Sequence, residues 1–385
     1  MNFDLSDEQR ILQQAVREFC AREIIPNAAR WDREEHFPHE IIPAMGEMGL
    51  LGMQIPEEYG GAGMKFVDYV VAMEEVARAD ASVGLTMASH NSLCTGHIYL
   101  AGNEEQRRKY LPRLARGEVL GGWGLTEPNS GSDAGAAQAR AVRTADGWSL
   151  TGTKTFITQG SVGGIYVILA STEPALAQKG LTAFIVERGT PGFRTGRRIE
   201  KMGLHASDTT ELVLEDVQVP DSQRLGGINQ GFFDTLKILD KGRIGIGAWA
   251  VGIGRAAFEA SRKYAKERVQ FGKPIAEFQA VQHMLADMAT ELDAARLLVW
   301  RAAGLQDHGQ RTTKASSIAK YYAARATMRV CTNAIQIHGG YGYSREFDVE
   351  RYMRDAKLGE IGEGTNEVQK MVIARELLQE WNAQA

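Results

Sequence analysis

Ala139-Arg140-Ala141-Val142-Arg143-Thr144-Ala145-Asp146-Gly147-Trp148-Ser149-Leu150-Thr151-Gly152 is the stretch that sets this chain apart from an all-helical one. Two short strand-forming runs, Ala139–Val142 and Trp148–Gly152, flank Asp146-Gly147, a dipeptide that accepts the left-handed backbone of a tight hairpin turn. Further along, Ile165–Ser171, Leu181–Glu187 and Glu211–Val219 are β-rich runs between Gly, Pro and Asp punctuation. Successive strands with no helix between them predict an antiparallel sheet or barrel over about residues 121–228.

On both sides of this region the pattern turns helical. In residues 1–120, Ser6 and Gln9 read as a capping box ahead of Leu12, Val16 and Phe19 at helical spacing, with Pro26 closing the run. A second helix covers roughly Lys65–Ala79. A third, near Ser82–Leu100, is small and apolar nearly all round and should be buried. Asn103 and Gln106 form another capping box ahead of Arg107–Leu114. Residues 229–385 hold four long helical patterns, Gly231–Arg268, Ile275–Leu305, Thr312–His338 and Asn366–Trp381, which pack most naturally as a bundle. The architecture is α, then β, then α. Gly252-Ile253-Gly254-Arg255-Ala256-Ala257 matches a dinucleotide-binding pattern, but that motif works only between a strand and a helix. Here it lies inside a helix, where small residues serve close packing.

Composition removes several function classes. The 385 residues are 44% hydrophobic and 24% charged, an ordinary globular profile. A net charge of -4, spread over 44 basic and 48 acidic residues, offers no concentrated basic face for nucleic acid. No run approaches a membrane span, and MNFDLSDEQR lacks a signal-peptide core or a transit segment. Cys20, Cys94 and Cys331 lie far apart, as reduced, buried thiols in the cytoplasm would. His36 and His39 sit beside Pro38, no HExxH occurs, and no metal is expected.

Three stretches carry chemistry. Trp123-Gly124-Leu125-Thr126-Glu127-Pro128-Asn129-Ser130-Gly131-Ser132-Asp133 could offer hydroxyls and backbone N–H groups to phosphate or a flavin edge, or be a plain polar turn. Glu267-Arg268-Val269-Gln270-Phe271-Gly272-Lys273-Pro274 could clamp a pyrophosphate through Arg268, or simply end a helix. In Asp355-Ala356-Lys357-Leu358-Gly359-Glu360-Ile361-Gly362-Glu363-Gly364-Thr365-Asn366-Glu367, a capping box of Asn366 and Gln369 starts a helix, leaving Glu363 in the loop ahead of it. A carboxylate there could act as a base beside an oxyanion donor, or be a solvated acid.

These stretches, in this order and spacing, resemble the acyl-CoA dehydrogenase family over nearly the whole chain, from Glu104-Glu105-Gln106, Leu111-Pro112 and Gly117-Glu118 onward. The likeness is nearest to the short-chain, butyryl-type branch in Gly242-Arg243-Ile244-Gly245-Ile246, Leu285-Ala286-Asp287-Met288-Ala289 and Ala295-Arg296-Leu297-Leu298. It implies an α+β fold: an all-α domain (1–120), an antiparallel β-barrel domain (121–228) and a C-terminal four-helix bundle (229–385). It further implies FAD, contacted by Trp123, Leu125, Thr126 and Ser132, with Phe156, Ile157 and Thr158 against the other flavin face. Phenylalanine stands where the family commonly has tryptophan. Arg268, Phe271, Gln279, Gln336, Gly339 and Gly340 match positions that hold the ADP half of FAD from a neighbouring subunit, implying a homotetramer built as a dimer of dimers. Thr365 and Glu367 match further FAD contacts, and Ser132, Asp240, Arg243 and Gly364 match the substrate side.

The implied reaction takes an α-proton from an acyl-CoA thioester onto Glu363 and a β-hydride onto the flavin, giving a trans-2-enoyl-CoA. Electron-transferring flavoprotein would reoxidise the flavin. An exposed glutamate is a feeble base for this task, and burial beside acyl chain and flavin would strengthen it. In the isovaleryl and long-chain branches the base stands at the position of Gly242, which cannot serve. Gly362 replaces the tyrosine frequent in straight-chain members, which would widen the pocket and admit short branched chains beside short- to medium-chain straight ones. An acyl-CoA oxidase, expected to carry a further C-terminal domain, and a non-catalytic flavin-binding relative are the rival readings.

Overall fold

The computed structural model describes residues 4–384. At the N-terminus the capping box forms as read: Gln9 N donates to Ser6 Oγ and Ser6 N to Gln9 Oε1, opening α1 (Asp7–Phe19). Pro26 does not close the run. Cys20–Ile24 widen into a π turn, and Pro26 falls in the first turn of α2 (Ile25–Glu34), where its missing N–H breaks no helical bond. Helices α3 (Ile42–Glu47), α4 (Phe66–Ala79), α5 (Ala81–Ser89), α6 (Gly96–Ala101) and α7 (Glu104–Ala115) follow. A second π turn, His90–Thr95, joins α5 to α6, and α5 with this turn is buried throughout.

The middle region is one sheet of β1 (Gly121–Gly124), β2 (Arg140–Arg143), β3 (Gly147–Thr158), β4 (Ile165–Ser171), β5 (Leu181–Glu187), β6 (Phe193–Arg198), β7 (Thr209–Pro220) and β8 (Arg224–Leu225). The expected hairpin is the β2–β3 pair, antiparallel with Arg143 opposite Trp148. Two expectations need correction. First, β1 and β2 both run parallel to β4. The β2–β3 excursion separates each of them from β4 along the chain, and a long connection permits parallel pairing.

Second, the sheet is open and not a closed barrel. Its order is β6-β7-β3-β2-β4-β5-β8, with β1 also on β4, and the two end strands share no ladder. The last strand has only two residues, too few to seal an edge. The sheet nevertheless curls round its own core. Tyr166 of β4 meets Phe193 of β6 at 4.9 Å, and Trp148 of β3 meets Phe184 of β5 at 5.6 Å.

Helix α8 (Gly231–Glu267) leads into a small hairpin, β9 (Val269–Gln270) and β10 (Lys273–Pro274). Helices α9 (Gln279–Asp307), α10 (Thr313–His338), α11 (Val349–Ala356) and α12 (Asn366–Gln384) complete the chain. Gly252 and Gly254 are packing glycines inside α8: a Cβ on the first would fall 2.5 Å from Glu74 O of α4, and on the second 2.6 Å from Leu292 of α9. One apolar core, with Val70, Met73, Ile246, Trp249, Val299 and Val330, joins the N-terminal helices to the bundle. Among the described residues, no helix is long and apolar enough to cross a membrane.

Candidate active site

Glu363 lies in the loop between α11 and α12. It and Gly364 both adopt left-handed backbone, φ 51° and 94°, a conformation that costs a non-glycine residue energy and that the packing around it must hold. The cap of α12 sits one residue earlier than Asn366. Thr365 Oγ1 accepts from Val368 N at 3.3 Å, while Gln369 Nε2 donates to Gly364 O at 2.9 Å. Asn366 instead accepts from Lys320 Nζ, at 3.5 Å.

The carboxyl group lies against bare helix. A Cβ added at Gly242 would fall 2.2 Å from Glu363 Oε2, so only glycine there leaves room. The residue as a whole is half-buried, yet Oε2 is shut away with no partner among the described residues. Its environment is that of the buried oxygen. Burial pushes the Glu363 carboxyl up to about 7, opposed by the charges of Arg243 and Lys320.

Those cations are themselves fixed. Buried Arg243 donates to Asp240 Oδ1 at 2.9 Å, and Asp240 Oδ2 accepts from Thr313 Oγ1 at 2.6 Å. Lys320 Nζ donates to Gly364 O at 2.7 Å and, through burial, is pulled down to about 8. Neither Lys320 nor Tyr69, whose buried hydroxyl lies near the same turn of α8, was foreseen. For Lys320 a signal existed: with Ser316, Ala323 and Thr327 it shares one fully buried stripe of α10, an odd place for a lysine.

Trp123, Leu125 and Thr126 gather beside β3. Trp123 Nε1 donates to His97 Nδ1 at 3.1 Å, and Thr155 N donates to Thr126 O at 2.9 Å, setting Thr126 next to Phe156. Phe156 is 64% exposed on left-handed backbone, whereas Ile157 is buried and Thr158 half-buried. Ser132 is exposed on the loop between β1 and β2. A buried ion pair that sequence reasoning missed anchors this loop: Lys154 Nζ meets Glu127 Oε1 at 2.6 Å, and the Glu127 carboxylate also accepts from Gln138 N and Ala139 N. Trp123 and Leu125 share an apolar cluster with Ile238 of α8. Gly242 is one turn further on, so the Trp123–Leu125 cluster and Glu363 meet α8 about 6 Å apart along its axis.

The remaining predicted residues lie elsewhere. Arg268, Gly339 and Gly340 line a surface groove of about 570 Å³ with Tyr264, His338 and Tyr341. The Arg268 guanidinium lies 5.4 Å from the Tyr341 ring centre. Phe271, 93% exposed, forms the tip of the β9–β10 hairpin, and Gln279 and Gln336 are also exposed, whereas Glu367, exposed too, stands in the first turn of α12, four residues beyond Glu363. Arg268 is about 38 Å along α8 from Arg243, so one chain does not bring this group to Glu363.

Both groups suit a flavin dinucleotide. A Cβ on Gly339 or Gly340 would meet nothing within 4 Å, so the groove leaves backbone open to a phosphate beside Arg268. Phe156 offers an uncovered flat ring.

Three family models match in succession: the N-terminal domain of acyl-CoA dehydrogenase over residues 6–118, its middle domain over 122–217 and its C-terminal domain over 229–378. The chain belongs to the acyl-CoA dehydrogenase family, and FAD is its cofactor. It is 46% identical over 374 residues to a short-chain-specific acyl-CoA dehydrogenase of Clostridium acetobutylicum, covering 97% of this chain and 99% of the relative. Among solved structures it is similar to butyryl-CoA dehydrogenase from Megasphaera elsdenii, with TM-score 0.96, 43% identity and coverage of 98% and 100%. A chain in a structure described as the electron transferring flavoprotein of Acidaminococcus fermentans matches with TM-score 0.97, 44% identity and coverage of 98% and 100%. PigA with FAD and proline matches with TM-score 0.95, 29% identity and coverage of 98% and 99%.

Proposed function

We propose that this enzyme desaturates short- to medium-chain acyl-CoA thioesters between Cα and Cβ, with Glu363 as the base that removes the α-proton. The observation that carries the reading is the Glu363 carboxylate, buried against Gly242 and raised to about 7. A base matched to neutral pH is what a weakly acidic carbon needs. Arg243 and Lys320 keep a useful fraction ionised, and the left-handed turn at Glu363–Gly364 fixes the side chain on α8. FAD, when bound, supplies the acceptor for the β-hydride. Thr126, Phe156 and Thr158 would hold its ring system, with Trp123, Leu125 and Ile157 shaping the wall behind.

The wide separation of Arg268 from Glu363 supports a cofactor shared between subunits. Arg268, Phe271, Gln279, Gln336, Gly339 and Gly340 of one copy would hold the phosphate and adenosine end of the FAD whose ring sits in another. A homotetramer is the proposed assembly. An electron-transferring flavoprotein is the proposed acceptor, supported by the Acidaminococcus match. Gly362, where an added Cβ would make only ordinary contact with Leu358, supports tolerance of short branched acyl groups.

The test is anaerobic bleaching of the flavin by butyryl-CoA. Glu363→Gln keeps the shape and the backbone N–H but removes the base, so bleaching should slow by ~100- to 10,000-fold while FAD remains bound. Bleaching at the wild-type rate would place the base elsewhere.

A further inference from the structure

Two buried polar atoms that lie against one face of α8 lack a hydrogen-bond partner among the described residues. Tyr69 of α4 is fully buried, and its hydroxyl has no partner among the described residues. A Cβ added at Gly245 would fall 2.9 Å from that oxygen. The second atom is Glu363 Oε2, which lies in the same way against Gly242. Gly242 and Gly245 are three residues apart and share a face of the helix. The two bare positions form a short floor with a phenol at one end and a carboxylate at the other.

A phenylalanine at position 69 would fill the same apolar space without burying a hydroxyl, and an unpartnered buried hydroxyl is costly. Burial and the neighbouring charge of Glu363 both push the Tyr69 phenol far above its ordinary range. It therefore stays neutral and can serve as a donor to an anion at any working pH. A single water between the two oxygens would satisfy both.

Resting on the reading of Glu363 as the base, we propose that Tyr69 is a positioning residue whose hydroxyl donates through one bridging water to the Glu363 carboxylate, holding it over Gly242 in its ionised form. The other charges facing Glu363 are Arg243 from α8, tied to Asp240, and Lys320 from α10, tied to Gly364 O. They act from other sides, and a change at Tyr69 leaves their bonds in place.

Tyr69→Phe removes one oxygen and keeps the packing. Two titrations of the FAD-loaded enzyme read its effect between pH 5 and 9. One is the rate of anaerobic flavin reduction by butyryl-CoA. The other is the infrared band of the protonated carboxyl, recognised by its loss in Glu363→Gln and measured without substrate. Losing a donor to the carboxylate disfavours the ionised form, so both midpoints should rise by about one pH unit. A midpoint that stays put or falls overturns the proposal and leaves Tyr69 as core filling. The infrared titration needs no turnover. If the wild type fails to bleach with acyl-CoA, the functional reading falls, while the Glu363 midpoint still decides the part played by Tyr69.

Discussion

Gly242 lies within α8, where alanine would favour a helix by ~1 kcal/mol, yet a methyl group there would fall 2.2 Å from Glu363 Oε2. Gly242→Ala should therefore separate stability from activity. The melting temperature should hold or rise, while bleaching by butyryl-CoA slows by ~100-fold because the base is pushed out of line. A wild-type rate in this variant would mean that the carboxylate works from another position. Placing glutamate at position 242 in a Glu363→Gly background, which removes the side chain it would strike, should restore part of the rate, since the two positions are in contact. The raised carboxyl also marks stability. The native state holds the Glu363 proton to about pH 7, whereas the unfolded chain releases it near 4.5. The stability this contributes is full below the lower value and lost as pH climbs through the upper one. Denaturant midpoints of wild type and Glu363→Gln should then match at about pH 4 and diverge by pH 8. There the variant should be more stable by on the order of 3 kcal/mol, and a constant gap across that range would show an ordinary, solvated carboxyl.

Among the elements, the loop between β1 and β2 is anchored by the Glu127–Lys154 pair, with both side chains buried. Glu127→Ala leaves the buried Lys154 ammonium without its counter-charge, with only Leu125 O to accept from it, and frees Gln138 N and Ala139 N. It should cost ~3–5 kcal/mol in urea unfolding and expose the loop to proteolysis. A loss below 1 kcal/mol would assign the anchoring to other contacts. Sequence reading treated this loop as a polar turn or a cofactor loop, because an ion pair across separate elements leaves no local pattern. Elements with their own signals were legible. The expected bounds of β4 and β5 coincide with the structure, and those of α8 differ by one residue, since apolar runs and glycine or proline punctuation mark their ends. Strand β6 was not foreseen, and β1 is marked by no strand pattern of its own. Gly121-Gly122-Trp123-Gly124 and Phe193-Arg194-Thr195-Gly196-Arg197-Arg198 lack strand periodicity and are strands only because β4 and β7 pair with them. Closure of the barrel was wrongly expected for a related reason: whether two edges meet is decided by strand lengths and curl, which no hairpin encodes. Around the candidate site, the loop that carries Glu363 has a sequence pattern of its own, while Tyr69 and Lys320 reach the same turn of α8 from distant helices through packing alone.

At the scale of the whole molecule, the exposed aromatics on the groove side demand a cover. Phe271 is 93% exposed at the tip of a two-strand hairpin, on left-handed backbone, and Tyr343 is 91% exposed beyond the Gly339–Gly340 turn. Large apolar rings held out in this way point to burial by another molecule. If a second copy provides it and the two share FAD, cofactor binding and assembly are linked by mass action. Dilution should then release FAD and lower the oligomer mass together, and added FAD should oppose both. Arg268→Ala removes a charge-assisted phosphate contact worth ~1.5–3 kcal/mol. It should raise the protein concentration at which FAD is lost by at least tenfold, read by flavin fluorescence alongside sedimentation. Phe271→Ala should shift both curves in the same direction with no change at Glu363, so the fraction that still holds FAD should bleach at the wild-type rate. FAD retained on a dilute monomer, or lost from an intact oligomer in step with neither variant, would show that each subunit grips its cofactor alone.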